Sequence, residues 1–195
     1  MKNPDNAGYA GLFARIDQIQ PHPEDLKKEI IERSCIEQFK KNDLMVKPGD
    51  TSRHCYFIID GFVRLYHDHK RKEVTTWFLH KGDFMIQLNG YYFNQESPEY
   101  LQASEDTTCI KLHIDDQTWL CEKYPLFFHT YATLTQLYYF QLTQRDAWKA
   151  YKAKEKYRKL LEEYPYIIQL AQCAHIASYL GISEFHYSKI KNHRL

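Results

Sequence analysis

The sequence predicts an α+β protein with an N-terminal double-stranded β-roll, a long helix and a C-terminal helix-turn-helix domain. Short β-type runs recur at intervals of about 8–12 residues, separated by turn residues such as Pro48-Gly49-Asp50. A long helical pattern follows Pro125, and near the C terminus a glycine separates two helical segments. These observations predict boundaries at residues 1–122, 123–150 and 151–195.

The composition is that of a folded globular protein, because 44% of the 195 residues are hydrophobic and 26% are charged. The N-terminal Met1-Lys2-Asn3-Pro4-Asp5 has no apolar signal core, and no apolar run is long enough to span a membrane. We therefore expect a cytoplasmic protein without a membrane partner. Five widely spaced cysteines without a CxxC pair predict reduced thiols and no disulfide, zinc site or other cofactor: Cys35, Cys55, Cys109, Cys121 and Cys173.

The charge is unevenly distributed along the chain. Residues 1–144 carry 16 basic and 20 acidic side chains, whereas residues 145–195 carry 10 basic and 5 acidic ones. A basic C-terminal quarter on an acidic body is typical of a nucleic-acid-binding domain, although an exposed lysine-rich helix would give the same count.

The N-terminal part combines helical and β-type spacing. Between residues 9 and 38, two helical stripes are separated by Pro21 and Pro23, the first formed by Leu12, Ile16 and Ile19 and the second by Leu26, Ile30 and Ile31. Strands are predicted for residues 55–59, 62–66, 74–79, 84–88 and 107–114. We expect the polar residues 68–72 to form the exposed tip of a hairpin.

The middle of the chain predicts a long helix. Asp115-Asp116 is typical of a helix N-cap, and Pro125 suits the first turn of a helix that runs to about Lys152 or beyond. One apolar surface of this helix holds Phe127, Tyr131, Leu134 and Tyr138, and a neighbouring flank holds Leu126, Leu137 and Phe140. So broad a surface suits packing both on the roll and on a second copy, which predicts a homodimer; the alternative is that both flanks pack inside one monomer.

The strongest local signal is a helix-turn-helix pattern over residues 174–190. Ile176 and Leu180 form a buried pair at i, i+4, and Gly181 can adopt the left-handed backbone of the turn. Ser183 is predicted to cap the second helix, and Tyr187 with Ile190 returns to the core. Two ordinary packed helices are the alternative.

In a helix-turn-helix protein the second helix enters the major groove of double-stranded DNA. Its predicted contacts are Ser183, Glu184, Phe185, Ser188, Lys189, Lys191 and Asn192. The two lysines suit phosphate or guanine, Glu184 suits a cytosine amine, and Phe185 offers apolar contact only.

The order of parts resembles the Crp/Fnr family of transcriptional regulators. The resemblance runs from about Phe39 to Lys191 and includes Val46-Lys47-Pro48-Gly49-Asp50 and the segment 56–64. The closing Ile176-Ala177-Ser178-Tyr179-Leu180-Gly181-Ile182 is similar to the version of this family common in Bacteroidetes. The resemblance implies a cyclic-nucleotide-binding-like roll, a dimer through the long helix and a palindromic DNA site read by residues 183–191.

Two departures from that family concern the small-molecule effector. Its cyclic-nucleotide binders use a Glu for the ribose and an Arg for the phosphate, where this chain has Gln87 and Ser97, and no arginine occurs between Arg71 and Arg145. We therefore expect an unidentified effector other than a cyclic nucleotide, since a phosphate needs a charged partner. Candidate lining residues are Phe84, Gln87, Tyr91, Tyr92, Ser97 and Tyr100, although simple packing is the favoured explanation for each of them.

Two other functions remain open. His67, His69 and Glu73 nearly reproduce the first metal motif of cupins, which would make the chain a metal-dependent enzyme, but no second motif follows. The modest charge of the predicted recognition helix also allows a protein that binds protein partners instead of DNA.

Overall fold

The structure is a computed structural model that describes the backbone of residues 4–192 and the side chains of residues 8–192. Outside the described part lie residues 1–3 and residues 193–195. The expectation about the N terminus rests partly on the first range, and the second belongs to the predicted C-terminal domain. Among the described helices, none is both long and apolar enough to cross a membrane. The helices are α1 (Pro4–Ile16), α2 (Glu24–Arg33), α3 (Leu88–Phe93), α4 (Ile114–Lys123), α5 (Pro125–Ala147), α6 (Ala153–Glu163), α7 (Pro165–Leu170), α8 (Cys173–Leu180) and α9 (Glu184–Asn192). The strands are β1 (Ser34–Phe39), β2 (Leu44–Val46), β3 (His54–Asp60), β4 (Phe62–His69), β5 (Lys72–His80), β6 (Phe84–Ile86), β7 (Tyr100–Ala103) and β8 (Thr107–His113).

Two four-stranded antiparallel sheets form the roll. Their strand orders are β1-β8-β3-β6 and β2-β7-β4-β5. Side chains alternate between the two faces of each strand, so one face of each sheet points into the roll. This inner core contains Val46, Tyr56, Ile58, Val63, Leu79, Met85, Leu101 and Cys109. The predicted α+β fold with an N-terminal roll, a long helix and C-terminal helices is confirmed.

The N-terminal helices and α4 cover the first sheet from outside. Leu12 and Ile16 of α1 and Leu26 and Ile30 of α2 pack in one apolar cluster with Leu134 of α5. The two predicted helical stripes are thus confirmed in their buried positions, although Ile31 is exposed. The long helix is held against the roll through this cluster.

The C-terminal helices pack on the outer face of the second sheet. Phe62 of β4 and Phe78 of β5 belong to the same apolar cluster as Leu160, Ile176 and Tyr187. The rings of Phe62 and Phe78 are stacked with centroids 5.4 Å apart. Because roll and C-terminal helices share this core, the helices have a defined position on the sheet.

Some predicted boundaries were wrong. Residues 34–38 form strand β1 instead of continuing a helix, because they pair with β8, in register from Ser34 opposite Leu112 to Phe39 opposite Thr107. The strand predicted to end at Leu88 ends at Ile86, since Gln87 caps helix α3 by accepting a hydrogen bond from the N–H of Gly90.

The helix ends around the long helix also differ from the prediction. His113, and not Asp115-Asp116, caps α4, because its ring nitrogen accepts from the N–H of Asp115. Helix α5 begins at Pro125 as predicted but ends at Ala147, before the predicted Lys152. A short 3₁₀ turn, Trp148–Ala150, follows because the Trp148 side chain is buried in the C-terminal core.

A close approach of two chain segments fixes the turn between β3 and β4. Gly61 has φ +117°, and a methyl group at its Cα would lie 2.7 Å from the Cα of Thr107. Gly82, in the turn before β6, has φ +90° but would place a methyl group in open space. The two positions share the backbone requirement for glycine and differ only in steric room.

We expect Gly61→Ala to lower the free energy of unfolding by about 3 kcal/mol or more, because backbone strain adds to a clash with backbone atoms. Gly82→Ala is the matched control and should cost about 1–2 kcal/mol from strain alone. Urea unfolding followed by circular dichroism measures both; equal losses in the two variants would contradict the close approach.

Candidate nucleic-acid interface and roll cavity

The C-terminal motif has the local geometry that its sequence predicts. Helix α8 ends at Leu180 and is capped by Gly181, which has φ +66° and ψ +36° and donates its N–H to the carbonyl of Ser178. The N–H of Ile182 reaches back to the carbonyl of Ala177 at 3.0 Å, which closes the turn. Ser183 then caps α9, because its hydroxyl accepts from the N–H of His186 at 3.2 Å.

The inner sides of α8 and α9 are packed together. Ile176, Ala177 and Leu180 of α8 and Tyr187 of α9 are buried in the C-terminal core, and Ile190 is partly buried against them. The predicted i, i+4 pair of Ile176 and Leu180 is therefore confirmed as a packing pair. Burial of this side leaves α9 with one free face.

The free face of α9 holds every residue that the sequence predicts to contact DNA. Phe185 is 76% exposed, and Lys189 Nζ lies 5.7 Å from the centroid of its ring. All predicted contact residues are solvent-exposed: Ser183, Glu184, Phe185, Ser188, Lys189, Lys191 and Asn192. Their individual contacts with DNA stay predictions.

The basic side chains of the C-terminal part fall into two groups. Lys149, Arg158 and Lys159 each form an ion pair with an acidic residue three or four positions away in the sequence. Among the ion pairs of the described residues, none involves Lys152, Lys154, Lys189 or Lys191. The lysines of α9 therefore retain an uncompensated positive charge next to its exposed face.

Helix α8 is also hydrogen-bonded to the roll. The hydroxyl of Ser178 accepts from the N–H of Thr75 at 3.0 Å and donates to the carbonyl of Glu73 at 2.9 Å. Both partners lie on β5, which is the edge strand of its sheet. Below this contact, Arg64 is buried and ion-paired with Glu73. The exposed face of α9 is thus supported by a helix that is attached directly to the sheet.

A cavity of about 380 Å³ lies between the roll, the N-terminal helices and α5. Its wall includes Leu65, Trp77 and Leu79 from the roll and Leu134 and Tyr138 from the long helix. No Lys, Arg, Asp, Glu or His is found among the described residues that line it. Burial raises the pKa of the Tyr92 and Tyr138 hydroxyls, so that these groups remain neutral.

Of the six predicted effector residues, Phe84 and Tyr92 line this cavity and four do not. Gln87 caps α3, and the hydroxyl of Tyr91 donates to Gln117. The side chain of Ser97 is hydrogen-bonded to the backbone of Glu99. Tyr100 stacks on Tyr66 with centroids 4.7 Å apart.

The cavity residues that sequence reasoning missed come from several elements. Met85 and Leu79 belong to the inward-pointing positions of β6 and β5, and Thr135 and Leu142 lie along α5. Period-2 and helical spacing indicate such positions, but they do not indicate which strand faces which helix. Two lysines that flank this region in the sequence do not line the cavity, since Lys111 is ion-paired with Glu37 and Lys81 is exposed in a turn.

The residues of the alternative metal motif do not converge. In the β4–β5 ladder His67 lies opposite Val74 and Asp68 opposite Glu73, so Glu73 points to the other face of the sheet from His67 and His69. Glu73 is occupied by Arg64. Within residues 8–192, no group of three or more His, Cys, Asp or Glu side chains is arranged to hold a metal ion.

Comparison with known proteins gives a domain match and a fold match. Residues 36–124 match the family model described as the cyclic nucleotide-binding domain. No curated protein matches the chain in sequence.

Solved structures with the same fold cover most of the chain. FixK2 from Bradyrhizobium japonicum has a TM-score of 0.70 at 15% identity, over 82% of this chain and 83% of that one. CLP from Xanthomonas campestris, described as a c-di-GMP responsive global regulator, has a TM-score of 0.68 at 11% identity, over 88% and 91%. The catabolite activator protein of Thermus thermophilus has a TM-score of 0.57 at 17% identity, over 92% and 85%. At these identities the likeness concerns the fold.

We expect cyclic AMP at millimolar concentration to produce no binding heat in calorimetry and no shift in the melting temperature of the full chain. The physical reason is that the cavity wall offers no cation to its phosphate, and burying an unpaired anion is unfavourable. 5′-AMP serves as the control for unspecific anion effects. A micromolar dissociation constant for cyclic AMP alone would show that the phosphate finds a partner.

Proposed function

We propose that this chain is a Crp/Fnr-type transcription regulator that binds double-stranded DNA, because residues 36–124 match the cyclic nucleotide-binding domain model and the fold resembles that of solved regulators. The observation that carries the proposal is the exposed face of α9, which combines a capped N terminus with Lys189 and Lys191. The inner side of the same helix is buried, so that α9 is held rigidly behind its free face.

In this function α9 lies in the major groove with its N-terminal half against base edges. Ser183 is at the helix N terminus, where backbone N–H groups and the helix dipole favour a phosphate. Lys189 and Lys191 supply charge to phosphates or guanine, and Glu184 accepts from a cytosine amine. Phe185 gives apolar contact, for example to a thymine methyl group.

A homodimer through α5 would present two such helices. The exposed large hydrophobic residues of α5 that lie outside the cavity wall support it, because the inner side of the same helix is already occupied by the roll: Leu126, Phe128, Leu137 and Phe140. A two-fold dimer reads a palindromic site whose half-sites are about one helical turn apart.

The roll would regulate this binding through an uncharged, largely apolar small molecule. The supporting observation is the cavity of about 380 Å³ without a charged residue among its described wall residues. A molecule of that kind fits such a wall without leaving an unpaired charge. Cyclic nucleotides do not meet this requirement.

We expect Lys189→Ala to weaken binding to a DNA fragment selected from a random pool by about tenfold and to reduce the salt slope by about one per subunit. Lys28→Ala, at an exposed lysine of α2, is the matched control and should change neither value. Fluorescence anisotropy over a salt series measures both.

We expect Phe185→Ala to alter the selected sequence more than the affinity for unspecific DNA, because its contact is with base edges. Phe93→Ala is the control, at an equally exposed phenylalanine of α3. The partner-binding alternative replaces this function under two joint outcomes. The unmodified protein selects no DNA, and it binds a protein partner through Phe185 independently of salt.

We expect Leu137→Asp to convert the dimer into monomers and to lower the DNA affinity, because a charge in an apolar helix–helix seam is unfavourable. Leu44→Asp on β2 is the matched control, since Leu44 and Leu137 are 44% and 42% exposed. Analytical ultracentrifugation gives the oligomeric state. An unmodified protein that is monomeric at micromolar concentration contradicts the proposed assembly.

A further inference from the structure

Arg145 lies in the last turn of α5, where the long helix, the roll and the C-terminal helices meet. Its guanidinium carbon is 3.4 Å from the ring centroid of Trp77 on β5 and 4.6 Å from that of Tyr179 on α8. Its Nη2 donates to the carbonyl of Thr76 at 2.6 Å. One side chain therefore contacts all three parts of the protein.

An irregularity in β5 creates this contact. In the β4–β5 ladder Leu65 pairs with Trp77 and Tyr66 with Thr75, so that Thr76 is skipped. Such a bulge turns backbone groups of the extra residue away from the ladder, and Arg145 takes up the Thr76 carbonyl. Ser178, next to Tyr179, binds β5 at Glu73 and Thr75. The segment 73–77 thus holds both the long helix and α8.

The contacts around Arg145 favour an arginine over a lysine at this position. In the described part of the chain, no carboxylate forms an ion pair with it, and burial lowers its pKa. The guanidinium stays charged at neutral pH. Its positive charge is stabilised by the rings of Trp77 and Tyr179 and by the carbonyl of Thr76. A lysine lacks the planar group that stacks on a ring while it donates sideways.

Trp77 connects this junction with the roll cavity. Trp77 and Tyr138 line both the roll cavity and a second cavity of about 340 Å³ between the roll, α5 and the C-terminal helices. Arg145, Tyr164, Tyr166 and Tyr179 line the second cavity. A molecule that fills the roll cavity would contact the Trp77 ring, on which Arg145 stacks. The second cavity leaves room for a shift of this ring.

We propose that Arg145 is the positioning residue that sets the orientation of the helix-turn-helix on the roll, and that Trp77 transmits the filling of the roll cavity to it. The regulatory meaning of this junction rests on the proposed function. The role of Arg145 in holding the C-terminal helices on the roll is independent of DNA, because it concerns contacts inside one chain.

The test uses the full chain with Arg145→Gln, and Arg158→Gln at an exposed arginine of α6 as the matched control. Trypsin cleaves after Lys149, Lys152 and Lys154 when the connection between α5 and α6 loosens. We expect Arg145→Gln to speed this cleavage and weaken binding of the selected DNA, each by about tenfold, with an unchanged melting temperature of the roll. Arg145→Lys should not restore either value.

A double-mutant cycle separates positioning from general loosening. If Arg145 acts through Tyr179, the variant with both Arg145→Gln and Tyr179→Leu is cleaved no faster than the more sensitive single variant. Leu65→Phe narrows the roll cavity opposite Trp77 and should speed cleavage in the unmodified chain but add nothing to Arg145→Gln.

Each outcome decides the inference. Equal cleavage and equal DNA affinity in Arg145→Gln and Arg158→Gln overturn the role of Arg145, and unchanged cleavage in Leu65→Phe overturns that of Trp77. If Arg145→Gln does not fold, Tyr179→Leu and Trp77→Phe replace it, and normal cleavage in both overturns the proposal. If the unmodified protein binds no DNA, the proposed function fails while cleavage still tests the junction.

Discussion

The apolar core that the C-terminal helices share with the outer face of the second sheet is the constraint on which the rest of the structure depends. Val63 and Leu79 point into the roll, whereas their neighbours Phe62 and Phe78 point outward and pack among α6–α9. Because side chains alternate between the two faces of β4 and β5, these strands contribute both to the inner core of the roll and to the core of the C-terminal helices. The direction in which α9 faces is consequently set by strand residues more than 100 positions earlier in the chain.

Helix α5 packs one side against the roll and exposes apolar side chains on another side. Its inner positions, such as Leu134 and Tyr138, close the cavity, while Leu137 and Phe140 remain outside. The position of α9 relative to the exposed side of α5 therefore depends on the packing of α5 as well as on the docking of α8. A change inside the roll that shifts α5 would therefore also move the exposed side of this helix and the C-terminal helices that follow it.

Local chemistry made part of this architecture predictable from the sequence. Gly181 and Ser183 act within one turn of the chain, and the strands around Ile58 and Val63 show their period directly. Strand β1 was missed because its partner β8 is some 70 residues away, and Trp148 ends the long helix only because the C-terminal core receives it. The cavity wall was only partly predictable, since it joins residues of the roll, the N-terminal helices and α5. Gln87 and Ser97 were candidates by position, but each is hydrogen-bonded locally.

Coverage of β5 by α8 has a consequence for the chain when these helices are missing or unfolded. An uncovered edge strand with the apolar side chains of Phe62 and Phe78 beside it can pair with a strand of another copy. Such pairing leads to aggregation. Ser178 occupies this edge by hydrogen bonding to the backbone of Thr75 and Glu73. The C-terminal helices thereby also protect this sheet edge from pairing with another copy, so that a chain lacking them would be prone to aggregate.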